Sequence, residues 1–200
     1  MRLLLFILML AIATGLPAAK PSHAQKCALS QPVACDTVNP LVWQPEFKRT
    51  IRRMLAAQTG VFVADEPVWQ QQLDVLGGPP DDRETVDGYY LFAACRSHSC
   101  PEKGAAVIAP DGTIAATAIL YSPCAGPNAT AQCTSLHNIV IFMTDLRHAN
   151  ETVTALKSWA NRKLTEDYAR WHPDAAPPPG LDTIDIRTTK SRLAKRQRPA

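Results

Sequence analysis

The chain's six cysteines fall as three close pairs, Cys27 and Cys35, Cys95 and Cys100, Cys124 and Cys133, and this spacing limits the fold more than any other feature. A disulfide needs its two Cα atoms within about 7 Å. Joined in sequence order, each pair would staple a short, turn-rich segment, with Pro32 inside the first loop and Gly126-Pro127-Asn128 inside the last. Six cysteines admit many other connectivities. No pair has the two-residue separation of a zinc knuckle or of a thioredoxin-like redox motif. An even count points instead to structural bridges formed in an oxidising compartment.

The N-terminus agrees with export. Met1-Arg2 is followed by an apolar run from Leu3 to Leu16, a break at Pro17, and the small residues Ser22 and Ala24. That is the layout of a secretory signal peptide, expected at 1–24 with cleavage after Ala24. The run is short for a membrane span. An uncleaved anchor is the alternative, and Cys27 keeps a lipid-anchored one open. Residues 25–173 suit one domain. Residues 174–200 begin Pro-rich and end in Arg187, Lys190, Arg192, Lys195, Arg196 and Arg198, which reads as a disordered basic tail. Of the 21 bases, two precede the cleavage point and six lie in that final run. Residues 25–186 therefore set 13 bases against 18 acids, a net −5.

Helical periodicity predicts a helix opening at Pro45-Glu46, with Phe47, Ile51, Met54 and Leu55 on one face and Gly60 closing it. A second begins at Asn150 and carries Val153, Leu156, Trp159, Ala160, Leu164, Tyr168 and Trp171 before Pro173. Tryptophans at this spacing are core residues, so Trp159 and Trp171 receive no cofactor role. Extended runs are predicted at 85–94, 105–109, 113–122 and 136–144, with a turn at Pro110-Asp111-Gly112. Together these give an α+β domain: an antiparallel meander with helices packed on one face.

The segment Cys95-Arg96-Ser97-His98-Ser99-Cys100 then links the first two strands. Its four inner residues are polar and are expected to face water or a partner. A bland alternative is an incidental polar turn. A metal site on Cys95, His98 and Cys100 would require reduced thiols. The other histidines beyond the leader, His137, His148 and His172, belong to no recognisable catalytic motif, and no phosphate-binding glycine loop is present. The chain is therefore expected to be no enzyme, with no cofactor, metal or nucleic-acid partner. The acid pairs Asp65-Glu66 and Asp81-Asp82 read as solvated turns. The sequons at Asn128 and Asn150 read as chance matches.

Residues 67–122 resemble the inhibitor of vertebrate lysozyme family of exported bacterial proteins. Pro67-x-Trp69 precedes the strands, an aromatic strand runs into Ala93-Ala94-Cys95, and the loop spacing is cysteine, base, one residue, histidine, one residue, cysteine. The resemblance implies an antiparallel sheet with helices against it and a periplasmic location. It also implies a lysozyme-type muramidase as partner, peptidoglycan protection as role, and a possible homodimer. It gives Cys95 to Cys100 as an inhibitory loop whose His98 enters the enzyme's cleft and meets its two catalytic carboxyl groups. A protonated imidazole there can donate from both nitrogens. The net −5 suits steering toward a basic enzyme, with Asp81, Asp82, Glu84 and Asp87 as contributors. Where the family loop has Pro and Asp beside the histidine, this chain has Ser97 and Ser99, which predicts a less preorganised loop. A module of the same fold that does not inhibit lysozyme, or that restrains the cell's own lytic transglycosylases, is the competing expectation.

Overall fold

A computed structural model describes residues 26–125, 132–171 and 180–189. The expected leader, the Gly126-Pro127-Asn128 turn, His172, Pro173 and the last basic run from Lys190 lie outside the described residues.

The chain is an α+β fold. Helices α1 (Asn39–Val42), α2 (Pro45–Leu55) and α3 (Val68–Leu76) come first. Strands β1 (Glu84–Val86), β2 (Tyr89–Arg96), β3 (Ser99–Ile108) and β4 (Ile114–Tyr121) follow. After them come the short β5 (Cys124–Ala125) and β6 (Gln132–Cys133), then β7 (Asn138–Met143), α4 (Ala149–Trp171) and β8 (Thr183–Thr188). Six strands form one sheet in the order β1-β2-β3-β4-β7-β8, while β5 and β6 pair separately. All neighbours in the large sheet are antiparallel except β7 and β8, which are parallel.

Helices cover both faces of the sheet, not one as expected. Phe92, Ala94, Ala106, Ile119, Val140 and Phe142 pack with α1–α3. Their strand neighbours Leu91, Ala93, Ala105, Leu120, Ile139 and Ile141 pack with Leu156, Trp159 and Ala160 of α4. The reason is written in the strands: β4 is Ile-Ala-Ala-Thr-Ala-Ile-Leu-Tyr, buried along its length except at Tyr121. Without a polar alternation, both faces need cover. The small residues let helices come close. A Cβ on Gly104 would meet the side chains of Val75 and Gln72 on α3.

Three further expectations change. The run at 85–94 is two strands, because Asp87 (φ 49°) and Gly88 (φ 81°) form a tight hairpin turn, as Asp-Gly favours. Helix α2 stops at Leu55, where Gln58 N–H takes the Leu55 carbonyl in a tighter turn, well before Gly60. Residues 183–188, read as part of a disordered tail, form β8. The alternating Thr-Ile-Asp-Ile-Arg-Thr pairs with β7 from Asn138↔Thr183 to Met143↔Thr188. No described helix is long and apolar enough to cross a membrane.

Candidate functional site

All three cysteine pairs are bonded in sequence order. Their Cα separations are 4.6 Å for Cys27–Cys35, 4.7 Å for Cys95–Cys100 and 3.8 Å for Cys124–Cys133. The first anchors the N-terminal segment, with Cys35 fully buried. The last joins β5 to β6. The middle one closes the hairpin between β2 and β3.

That hairpin turns on Ser97 and His98, with Arg96 opposite Ser99. The register then shifts, so that Cys95 faces Lys103 and residues 100–102 bulge out of β3. The disulfide spans this bulge. His98 sits at φ 64°, in the left-handed region that histidine tolerates better than most residues. Ser97, His98 and Cys100 are exposed, Ser99 is half-buried and Cys95 is buried. The imidazole therefore stands at the tip, and the described residues give it no partner.

Arg96 does not point outward, contrary to expectation. Its guanidinium turns back onto the body, donating to Val63 O at 2.9 Å and to Glu102 Oε2 at 2.7 Å. On the other side of the hairpin Lys103, 7% exposed in its side chain, pairs with Asp167 of α4 at 2.8 Å and donates to Cys100 O. The segment before β1 buttresses the edge: Cys95 N–H donates to Pro79 O at 3.0 Å and Asp81 N–H to Ala93 O at 2.9 Å. Gly78 lies so close that a Cβ there would collide with Cys95 O and come within 2.7 Å of Ser97 N. The loop is thus held by two cations, a glycine contact and a bulge. Except for Arg96 itself, these supports come from outside the six-residue motif.

Lys103→Met removes the clasp on the α4 side. It breaks a partly buried ion pair and leaves Cys100 O without this donor, so a loss of about 1–3 kcal/mol is expected in chemical denaturation. Asp167→Asn should cost less, because it leaves the bond to Cys100 O in place.

Carboxyl groups surround the seat of Arg96. Asp74 is held above the usual carboxylate range, chiefly by burial and then by Glu66, against the opposing pull of Arg96. A raised folded-state value means the fold prefers the protonated form. Stability from this group is therefore present below the ordinary value of 3.8 and is lost as pH rises above it. Asp74→Asn is accordingly expected to raise Tm at pH 7 and to give no gain at pH 3, checked by thermal melts at both.

The four acids expected to act together do not form one patch. Asp81 pairs with Lys163 of α4 at 3.0 Å, and Glu84 pairs with Arg162. Burial opposes the Lys163 charge, but Glu166 and Asp81 hold that ammonium above its usual value. Asp82 and Asp87 are exposed, and Asp87 lies in the β1–β2 turn, at the opposite end of β2 from His98, about 23 Å away by strand rise. His137 Nδ1 lies 3.5 Å from Ser122 Oγ, and the His148 ring lies tilted against Tyr89 with centroids 5.6 Å apart. Neither joins His98. A cleft lined by Glu84, Val86, Asp87, Glu151, Ser158 and Arg162 opens between β1 and α4, at the far end from the hairpin tip. Among the described residues no group of three histidine, cysteine or acidic side chains is placed to hold a metal ion.

Sequence reasoning missed α3 and with it Gln71, which is fully buried and supports the loop's contact at Val63. Pro67 before it and Gly77-Gly78 after it were the available signals. Comparison with known proteins gives no match to a family model, a curated protein or a solved structure.

Proposed function

We propose that this protein is an exported inhibitor of lysozyme-type muramidases, acting by insertion of the Cys95–Cys100 hairpin into the enzyme's substrate cleft. The observation that carries the reading is a stapled turn whose base is clamped on both sides while its tip offers an exposed imidazole. The two cations nearest the tip are engaged with the body, so the outward chemistry is that of His98 and the Ser97 hydroxyl. A muramidase of this kind works with one protonated and one ionised carboxyl group flanking the scissile bond. An imidazole entering between them can bond both and exclude the sugar. Export fits three disulfides, which form in oxidising compartments. In a bacterium with an outer membrane that compartment would be the periplasm, and the role protection of the wall.

The test is a cell-wall clearing assay with purified protein titrated against a basic lysozyme and against a lytic transglycosylase. Inhibition of the first that is lost with His98→Ala supports the proposal. Inhibition confined to the second redirects the target to the cell's own enzymes. Absence of inhibition in both leaves the fold but removes this function.

A further inference from the structure

Helix α2 carries its charge on one side. Phe47, Ile51 and Leu55 face the core, while Lys48, Arg49, Arg52 and Arg53 lie on the outer half with Glu46 as the helix's single acid. Arg49, Arg52 and Arg53 are exposed and Lys48 is half-buried. None of the four makes an ion pair with a described residue, whereas six described cations elsewhere in the fold do. The spacing is unfavourable for the helix itself. Lys48 with Arg52, and Arg49 with Arg53, are like charges four residues apart. The helix dipole favours cations in the last turn, which accounts for Arg52 and Arg53 but not for Lys48 and Arg49 nearer the start. Residues 25–186 have a net charge of −5, yet α2 alone carries +3 and leaves the rest at −8. Stability of the fold therefore does not explain the strip, and an anion outside the molecule does.

More positive charge converges on both ends of α2. Gln44 Nε2, just before the helix, donates to Cys27 O at 3.0 Å, which brings the exposed Lys26 to that end. Just after the helix, Gln58 Nε2 reaches Thr188 O at 3.4 Å and Arg187 donates to Thr59 O at 2.5 Å. The basic run from Lys190 therefore leaves the fold beside the C-terminal end of the same strip. Trp43 indicates the kind of anion. It is 67% exposed two residues before α2, and Lys48 Nζ lies 5.0 Å from its ring centroid. Tryptophan beside cations suits the headgroup layer of a bilayer, where the ring occupies the boundary between lipid and water. The outer half of a helix is convex, so it offers a strip of charge and no groove for a polymer chain. The apolar face of α2 is held in the core and is not free to insert. We propose that the outer face of α2, with Trp43 at its head, docks this protein peripherally on an anionic phospholipid surface. The attraction is electrostatic, and Trp43 is the one large apolar group of the strip that enters the lipid boundary.

Cosedimentation of the exported protein with vesicles tests this. Binding is expected to vesicles of phosphatidylglycerol and phosphatidylcholine in equal parts, with little to phosphatidylcholine alone. It should fall steeply as NaCl rises from about 0.05 M to about 0.5 M, because the charges are screened. A cation near an anionic surface contributes about fivefold in affinity. Arg49→Glu with Arg53→Glu should therefore weaken binding about 30-fold or more. Lys157→Glu with Arg170→Glu changes the net charge equally at exposed positions of α4 and should leave binding nearly unchanged. All four positions are exposed, and unchanged far-UV circular dichroism confirms that both variants fold. Trp43→Ser should weaken vesicle binding without altering retention on dextran sulfate. Equal binding to both kinds of vesicle overturns the proposal, as does an equal loss from the two pairs of substitutions. Retention on dextran sulfate without vesicle binding also overturns it and makes the partner an anionic polymer. Inhibition of a soluble lysozyme requires no vesicle, so success or failure in the clearing assay is read separately from this one.

Discussion

His98→Asn is expected to weaken lysozyme inhibition by a factor of about 30 or more while leaving Tm unchanged. Asparagine is chosen because, like histidine, it tolerates the left-handed backbone found at φ 64°. The turn, the disulfide and the two clasps at Arg96 and Lys103 therefore persist, and only the imidazole is lost. Truncating one partner of a buried, hydrogen-bonded charge contact costs about 2–5 kcal/mol, which corresponds to roughly 30-fold to several thousand-fold in affinity. His98→Ala should lose inhibition similarly but also forfeit some stability, since alanine is strained in this conformation. The pair of variants separates the imidazole's contribution from the backbone's. An inhibition constant that stays within twofold for His98→Asn would mean that the hairpin binds by shape, or that another surface inhibits.

How much of this was legible in the sequence depends on where the information lies. The staple, the hairpin turn at Pro110-Asp111-Gly112, the face of α2 and the stripe on α4 are local patterns, and each is found where its residues predicted. The distribution of helices over two faces is not local. It follows from β2 and β4 being apolar at odd and even positions alike, a signal present in Ala93-Ala94 and Ile119-Leu120 but easily read as mere hydrophobicity. β8 escaped because a six-residue strand with two isoleucines lies next to a strongly basic run that dominates the composition. Helix α3 escaped because two of its five buried positions are glutamine, so its apolar face looks broken. The loop's supports were illegible for a related reason. Arg96 and Lys103 are cations beside a polar turn, and only the packing of α4 and of residues 60–66 turns them inward.

Gln71→Leu is the substitution expected to harm stability most, by about 3 kcal/mol or more, and it should damage the distant loop as well. The side chain is fully buried and bonds the backbone of the 60–66 segment at four points. Its Oε1 accepts from Phe62 N–H at 2.8 Å and Val63 N–H at 3.1 Å. Its Nε2 donates to Gly60 O at 2.8 Å and Glu66 O at 2.6 Å. Leucine fills a similar volume and satisfies none of these. Each buried group left without a partner costs about 1–3 kcal/mol, reduced where water enters. The segment also positions Phe62 edge-on against Tyr121 and Phe142, with centroids at 5.2 and 6.0 Å, so its loosening opens the core beneath. Val63 O is the acceptor that turns Arg96 inward. With that carbonyl displaced, the guanidinium loses one of its two anchors and the hairpin's base gains freedom. Urea denaturation should therefore show a lower midpoint, and the surviving folded protein should inhibit less well although every residue of the loop is intact. Gln71→Glu keeps the acceptor but turns a buried carboxylate oxygen onto the Gly60 and Glu66 carbonyls, so at pH 7 a drop at least as large as that of leucine is expected, smaller at pH 4, where a protonated acid can donate to one of them. If Gln71→Leu lowers stability while inhibition per folded molecule is unchanged, Arg96 does not govern the hairpin's pose, and the staple alone suffices to hold it.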